Sequence, residues 1–127
     1  MTKHVAVFLD HHEAKVFHLT PDTFSEEHLH APHAELRQKH REKGHPAELS
    51  HFLEEIVKAV SDAREVLVLG PGSAKLDLVK YIHKHHPRLV DNLVGVETVD
   101  HPTDRQIVAH ARATFRKVDA MLGNASP

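Results

Sequence analysis

The chain contains no cysteine, an absence that excludes disulfides, thiolate metal ligands and a cysteine nucleophile together. Long hydrophobic runs are missing as well. No window approaches the roughly 18 uninterrupted apolar residues that a membrane-crossing helix needs, so no membrane partner is expected. The opening MTKHVAVFLDHHEAK has only the short apolar stretch Val5–Leu9 before Asp10 and no small-residue cleavage site. No secretory signal is therefore expected, and the cytoplasm is the expected compartment. Internal repeats and low-complexity tracts are also lacking.

A large net charge is absent too: the formal charge is −2 with histidine neutral, which by itself does not announce a nucleic-acid partner. What the sequence has in abundance is histidine. The fifteen imidazoles would carry the formal charge from −2 to +13 if all were protonated, and histidine titrates near pH 6.5. The surface potential is therefore expected to depend on pH. A length of 127 residues suits one hydrophobic core, read as a single domain over 1–122 followed by a frayed tail over 123–127.

Hydrophobic patterning gives the element order. HVAVFL at 4–9 and KVFHL at 15–19 read as a hairpin across DHHEA. A third extended piece is expected at 25–31, reached through the turn Thr20–Pro21–Asp22. Residues 32–46 have little apolar periodicity and read as an exposed loop or a partly ordered helix. Leu49, Phe52, Leu53, Ile56, Val57 and Val60 then share one helical face, with Glu54 and Lys58 paired outside it. EVLVL at 65–69 reads as a strand buried on both sides. GPGS at 70–73 turns the chain with Ser73 as N-cap. A second helix over 74–86 is expected to present Leu76, Val79 and Ile82 before Pro87. LVGVETV at 93–99 is another strand, and Thr103 with Gln106 forms a capping box. The helix it opens should bury Ile107, Val108, Ala111, Phe115, Val118 and Leu122. The order βββαβαβα describes an antiparallel meander continued by parallel strands with crossover helices.

Three groups of residues could carry chemistry. Over 28–45, Arg37, Lys39, Arg41 and Lys43 stand against Glu35 and Glu42, a formal +2 that becomes +7 if His28, His30, His33, His40 and His45 protonate. Positive charge on such a segment is the footprint of a phosphate-backbone contact, and it equally suits a solvated loop. Arg105, Arg112 and Arg116 form a stripe beside the apolar face of the last helix, with the same two readings. Gly70, Gly72, Ser73 and Lys75 join a strand to a helix, where backbone N–H groups could hold an anion. Their pattern matches neither GxxxxGK[ST] nor GxGxxG, and a tight structural turn explains it as well.

His28, His30 and His33, and HKHH at 83–86, could take up zinc or nickel adventitiously. Without thiolates, no resident metal and no cofactor are expected. Asp10, Asp100 and Glu54 or Glu55 could meet as a two-metal nuclease site, although acids at strand ends are commonly turn formers. No Ser-His-Asp arrangement can be argued, and no catalytic residue is assigned.

EVLVLGPGSAKLDLVKYIHKHHPRL followed by LVGVETVDHPTDRQIVAHARATF resembles the second half of the central domain of the archaeal and eukaryotic class-1 peptide-chain release factors and of the related ribosome-rescue protein Pelota. In those proteins a strand ends in a glycine-containing turn, a lysine-bearing helix follows, and a further strand leads into a last helix. The chain is also similar to small bacterial translational machinery proteins. The opening strands correspond in order, so the resemblance extends over most of the chain. It implies an α/β, ribonuclease-H-like mixed sheet in three layers, and ribosomes or structured RNA as partners. Release factors carry Gly-Gly-Gln in the loop after the meander, where it promotes peptidyl-tRNA hydrolysis. Here the matching region 31–48 has only Gly44 and an isolated Gln38. Pelota lacks the tripeptide too and still acts on ribosomes, so the resemblance implies a binding role and not a hydrolytic one. The alternatives are a divergent metal-dependent nuclease and a protein-interaction module without RNA.

Overall fold

The structure, a computed structural model, describes residues 3–31 and 46–123. The elements are β1 (His4–Leu9), β2 (Glu13–Leu19), β3 (Phe24–His30), α1 (Pro46–Val60), β4 (Glu65–Gly70), α2 (Ala74–His85), a 3-10 turn (Pro87–Asn92), β5 (Leu93–Thr98) and α3 (Asp104–Met121). Among the described residues the order is the expected βββαβαβα. Residues 124–127 of the expected tail, and residues 32–45 of the stretch expected as an exposed loop or a partly ordered helix, lie outside the described residues.

The strands form one sheet in the order β3-β2-β1-β4-β5. β2 runs antiparallel to β1 and β3, whereas β4 runs parallel to β1 and β5 parallel to β4. Side chains on a strand alternate between faces, and the continuous apolar runs of β1 and β4 therefore feed two cores. Val5, Val7, Leu9, Val66 and Val68 pack under α1 and α2 through Phe52, Ile56, Leu78 and Ile82. Ala6, Phe8, Phe17, Leu67 and Leu69 pack under α3 through Ile107, Ala111 and Phe115. Helices on both faces of a mixed sheet make the three layers expected of the fold. The edge strand β3 is largely exposed and rich in Glu and His, composition that blunts edge-to-edge pairing. Among the described residues no helix is long and apolar enough to cross a membrane.

Three local expectations need correction. α2 ends at His85 and buries Ala74, Lys75, Leu78 and Ile82, while Leu76 is 48% exposed and Val79 half-buried. The i, i+4 row Ala74–Leu78–Ile82 faces the sheet, and Leu76 lies about 200° around the helix from it. On α3, Val118 is only half-buried and Leu122 is 63% exposed. The buried row Ile107–Ala111–Phe115 continues instead to Asp119. Ser73 does occupy the N-cap position of α2, but its side chain makes no capping hydrogen bond. By contrast, the Thr103–Gln106 capping box is complete: Thr103 Oγ1 accepts from the Gln106 amide at 3.2 Å, and Gln106 Oε1 accepts from the Thr103 amide at 2.8 Å.

Candidate functional site at the carboxyl edge of the sheet

Parallel strands bring their carboxyl ends to one edge, where ligands of open α/β sheets are usually bound. β1, β4 and β5 end there, and so does β3, because both are antiparallel to β2. The Ala31 amide donates to the His12 carbonyl at 2.9 Å, which fastens the exit of β3 to the β1–β2 turn. Asp10 closes that turn, its Oδ1 accepting the amides of His12 at 2.7 Å and Glu13 at 3.0 Å. The described part of this stretch thus ends at Ala31 on this edge, and Arg37, Lys39, Arg41 and Lys43, which follow in sequence, lie outside the described residues. α1 then runs back from this edge to deliver the chain to the start of β4.

The Gly70–Ser73 turn lies between the ends of β1 and β5. Gly70 is buried, and a Cβ there would run into the Leu9 carbonyl oxygen, so close approach of the two strands requires glycine. The Val99 amide donates to the Gly70 carbonyl at 3.1 Å. Lys75 is 7% exposed, and its ammonium donates to the Gly72 carbonyl inside the turn instead of reaching outward. Gly72, by contrast, is exposed with open space around it. Ser73 Oγ lies 3.5 Å from His11 Nε2, and Asp77 Oδ2 lies 4.0 Å from the same nitrogen. A catalytic triad needs its acid on the other ring nitrogen, so this trio is a surface polar contact and not a relay.

Beside the turn, an open cleft of about 460 Å³ lies between the β5 exit and the start of α3, lined by Leu69, Val99, His101, Gln106 and His110 among others. His110 Nε2 lies 2.6 Å from Glu97 Oε1, and His101 Nδ1 lies 3.2 Å from Asp100 Oδ1. His11, His12, His101 and His110 stand together at this edge beside the carboxylates of Asp10, Asp77, Glu97 and Asp100.

The arginine stripe is divided. Arg112 donates to the carbonyls of Thr20 at 2.6 Å and Thr23 at 2.8 Å, clasping the β2–β3 turn. Arg105 and Arg116 are exposed. The nuclease acids are not brought together: Glu54 accepts from Tyr81 Oη at 2.6 Å and lies 2.7 Å from His86 Nε2 on the α1–α2 seam, while Asp100 pairs with His101. Hydrogen bonding from Tyr81, then from His86, holds the Glu54 carboxyl below the usual range. His28 and His30 do sit together, ring centroids 4.4 Å apart, with His28 bonded to Glu13.

A second cluster, missed from sequence, lies at the opposite edge. His4 Nε2 is 3.1 Å from Asp119 Oδ2 and 3.5 Å from Glu65 Oε1, and Lys3 Nζ is 3.4 Å from Asp119 Oδ2. Burial, and then the neighbouring Asp119, push the Glu65 carboxyl up to about 7. Desolvation lowers the His4 pKa. The available signal was an aspartate at the next i+4 position of an apolar row.

No family model matches the chain, and no curated protein is similar to it in sequence. Solved structures are similar in fold. The Thermoplasma acidophilum Pelota protein aligns with TM-score 0.62 and 23% identity, over 91% of this chain and 34% of its own. Archaeoglobus fulgidus Pelota aligns with TM-score 0.65 and 20% identity, over 95% of this chain and 33% of its own. The archaeal translation termination factor aRF1 aligns with TM-score 0.60 and 18% identity, over 94% of this chain and 39% of its own. The chain therefore spans between 33% and 39% of the length of these proteins. Its fold is that of a domain of Pelota and of the archaeal release factor, as the residues from Glu65 to Lys117 implied.

Proposed function

We propose that the chain is a non-enzymatic, cytoplasmic, translation-associated factor that binds ribosomes or structured RNA through the basic segment 32–46 at the carboxyl edge of its sheet. The observation that carries this reading is a fold shared, over 91% of the chain or more, with translation factors of two kinds. Charge supports it. Arg37, Lys39, Arg41 and Lys43 follow in sequence from Ala31, which lies on the edge where His11, His12, His101 and His110 also stand, and exposed Arg105 opens α3 beside them. Phosphate-backbone contacts need positive charge on accessible chain and no particular catalytic geometry.

Sedimentation of tagged protein through a sucrose gradient of cell lysate tests the proposal. At low salt the protein should travel with ribosomal particles, and added salt should return it to the top. A protein that stays at the top of the low-salt gradient would favour the interaction-module reading.

A further inference from the structure

At the amino edge of the sheet, three elements distant in sequence each deliver one ligand-capable side chain to one point: His4 from β1, Glu65 from β4 and Asp119 from α3. We propose that His4, Glu65 and Asp119 form a binding site for a zinc-type divalent cation that pins the ends of β1, β4 and α3 together.

The geometry fits such an ion. Zinc bonded at about 2.0–2.1 Å in a tetrahedron sets its ligand atoms about 3.3 Å apart. His4 Nε2 lies 3.1 Å from Asp119 Oδ2 and 3.5 Å from Glu65 Oε1, and one ligand atom from each residue lies within 4.8 Å of the others. One nitrogen and two carboxylates make a donor set that zinc accepts, with a fourth position left for solvent. Two ionised carboxylates would be neutralised by one divalent ion.

Burial supplies the independent observation. Glu65 is 6% exposed and Asp119 7% exposed, and Glu65 Oε1 and Asp119 Oδ1 have no hydrogen-bond partner. Buried carboxylate oxygens without a donor are costly to leave so, and a cation ligated by Glu65 Oε1 and by the Asp119 carboxylate removes that cost at Oε1 and neutralises the charge on both groups. The His4 ring is held for the purpose, stacked on Phe115 with centroids 4.5 Å apart and planes 11° from parallel. Lys3 is the natural competitor. Its ammonium reaches Asp119 Oδ2 at 3.4 Å and Glu65 Oε2 at 3.8 Å, but its side chain is 37% exposed and free to swing to solvent when a metal enters.

Cobalt titration of the untagged, full chain tests the site, because four-coordinate Co²⁺ absorbs far more strongly in the visible than the six-coordinate ion that scattered surface histidines would hold. The wild type should take up one cobalt with four-coordinate bands that zinc abolishes. Asp119→Asn and Glu65→Gln, near-isosteric changes, should weaken binding at least about 100-fold, since even outer-shell changes cost 10–100-fold. Lys3→Ala removes the competitor without touching a ligand and should tighten binding several-fold, and His28→Gln with His30→Gln should leave it unchanged. Only six-coordinate spectra, binding lost with His28 and His30, or binding indifferent to Asp119 and Lys3 would each overturn the proposal. Zinc should also raise the melting temperature of the wild type and not of Asp119→Asn, a readout independent of the spectrum.

Discussion

Arg112 uses both arms of its guanidinium on the carbonyls of Thr20 and Thr23, so a residue that the sequence offers as a phosphate contact is committed to holding a turn. Arg112→Ala should cost about 1 kcal/mol, the usual net value of hydrogen bonds at a solvent-accessible site. It should speed amide exchange at Thr23 and leave RNA affinity unchanged, as hydrogen-exchange NMR and a binding titration would show. Glu54 sets a second expectation. Tyr81 and His86 hold its pKa below the unfolded value, so its stabilisation is complete above about pH 4.3 and is lost as pH falls through the lower folded value. Denaturant melts of Glu54→Gln and wild type should therefore differ by about 1 kcal/mol at neutral pH and converge in acid. Local chemistry of this kind was partly legible: the Thr103–Gln106 capping box joins residues three apart and reads directly from sequence. The His4–Asp119 contact joins residues 115 apart, and no periodicity in either segment announces the other.

The elements themselves were legible wherever a face is buried. β1, β4, α1 and most of α3 follow from apolar spacing because each packs a continuous row against the sheet. α2 misled because Leu76 and Leu78 are two residues apart and only packing decides which of them faces inward. The Gly70–Ser73 turn could be read as an anion cradle or as a tight connection, and the buried Gly70 and inward Lys75 suit the connection. Gly70→Ala should destabilise the protein by about 1–3 kcal/mol by forcing β1 and β4 apart, which thermal or denaturant unfolding would register. The basic segment is where the binding proposal rests. Its formal charge over 28–45 moves from +2 toward +7 as histidines protonate, so RNA affinity should rise between about pH 7.5 and 5.5. An affinity indifferent to pH in fluorescence anisotropy would remove the histidines from the interface.

The three-layer fold is shared with Pelota and aRF1, while function depends on what the domain presents. The region 31–48 has no Gly-Gly-Gln, and excess protein added to ribosomes carrying labelled peptidyl-tRNA should release no more peptide than buffer does. The central claim is that positive charge on the segment 32–46 holds RNA or the ribosome. Binding of a structured RNA or of purified ribosomes across a salt series tests it most directly. The comparison is between wild type, a variant with Arg37, Lys39, Arg41 and Lys43 changed to alanine, and a control with Lys58, Lys80, Lys84 and Arg88 changed to alanine, all four of which are exposed. The Arg37, Lys39, Arg41 and Lys43 variant should bind more weakly, its log-affinity against log-salt slope flattened by about 0.7–0.9 for each phosphate contact removed, while circular dichroism matches the wild type and the control set changes little. Equal losses from both sets, or a wild-type affinity that ignores salt, would contradict the claim.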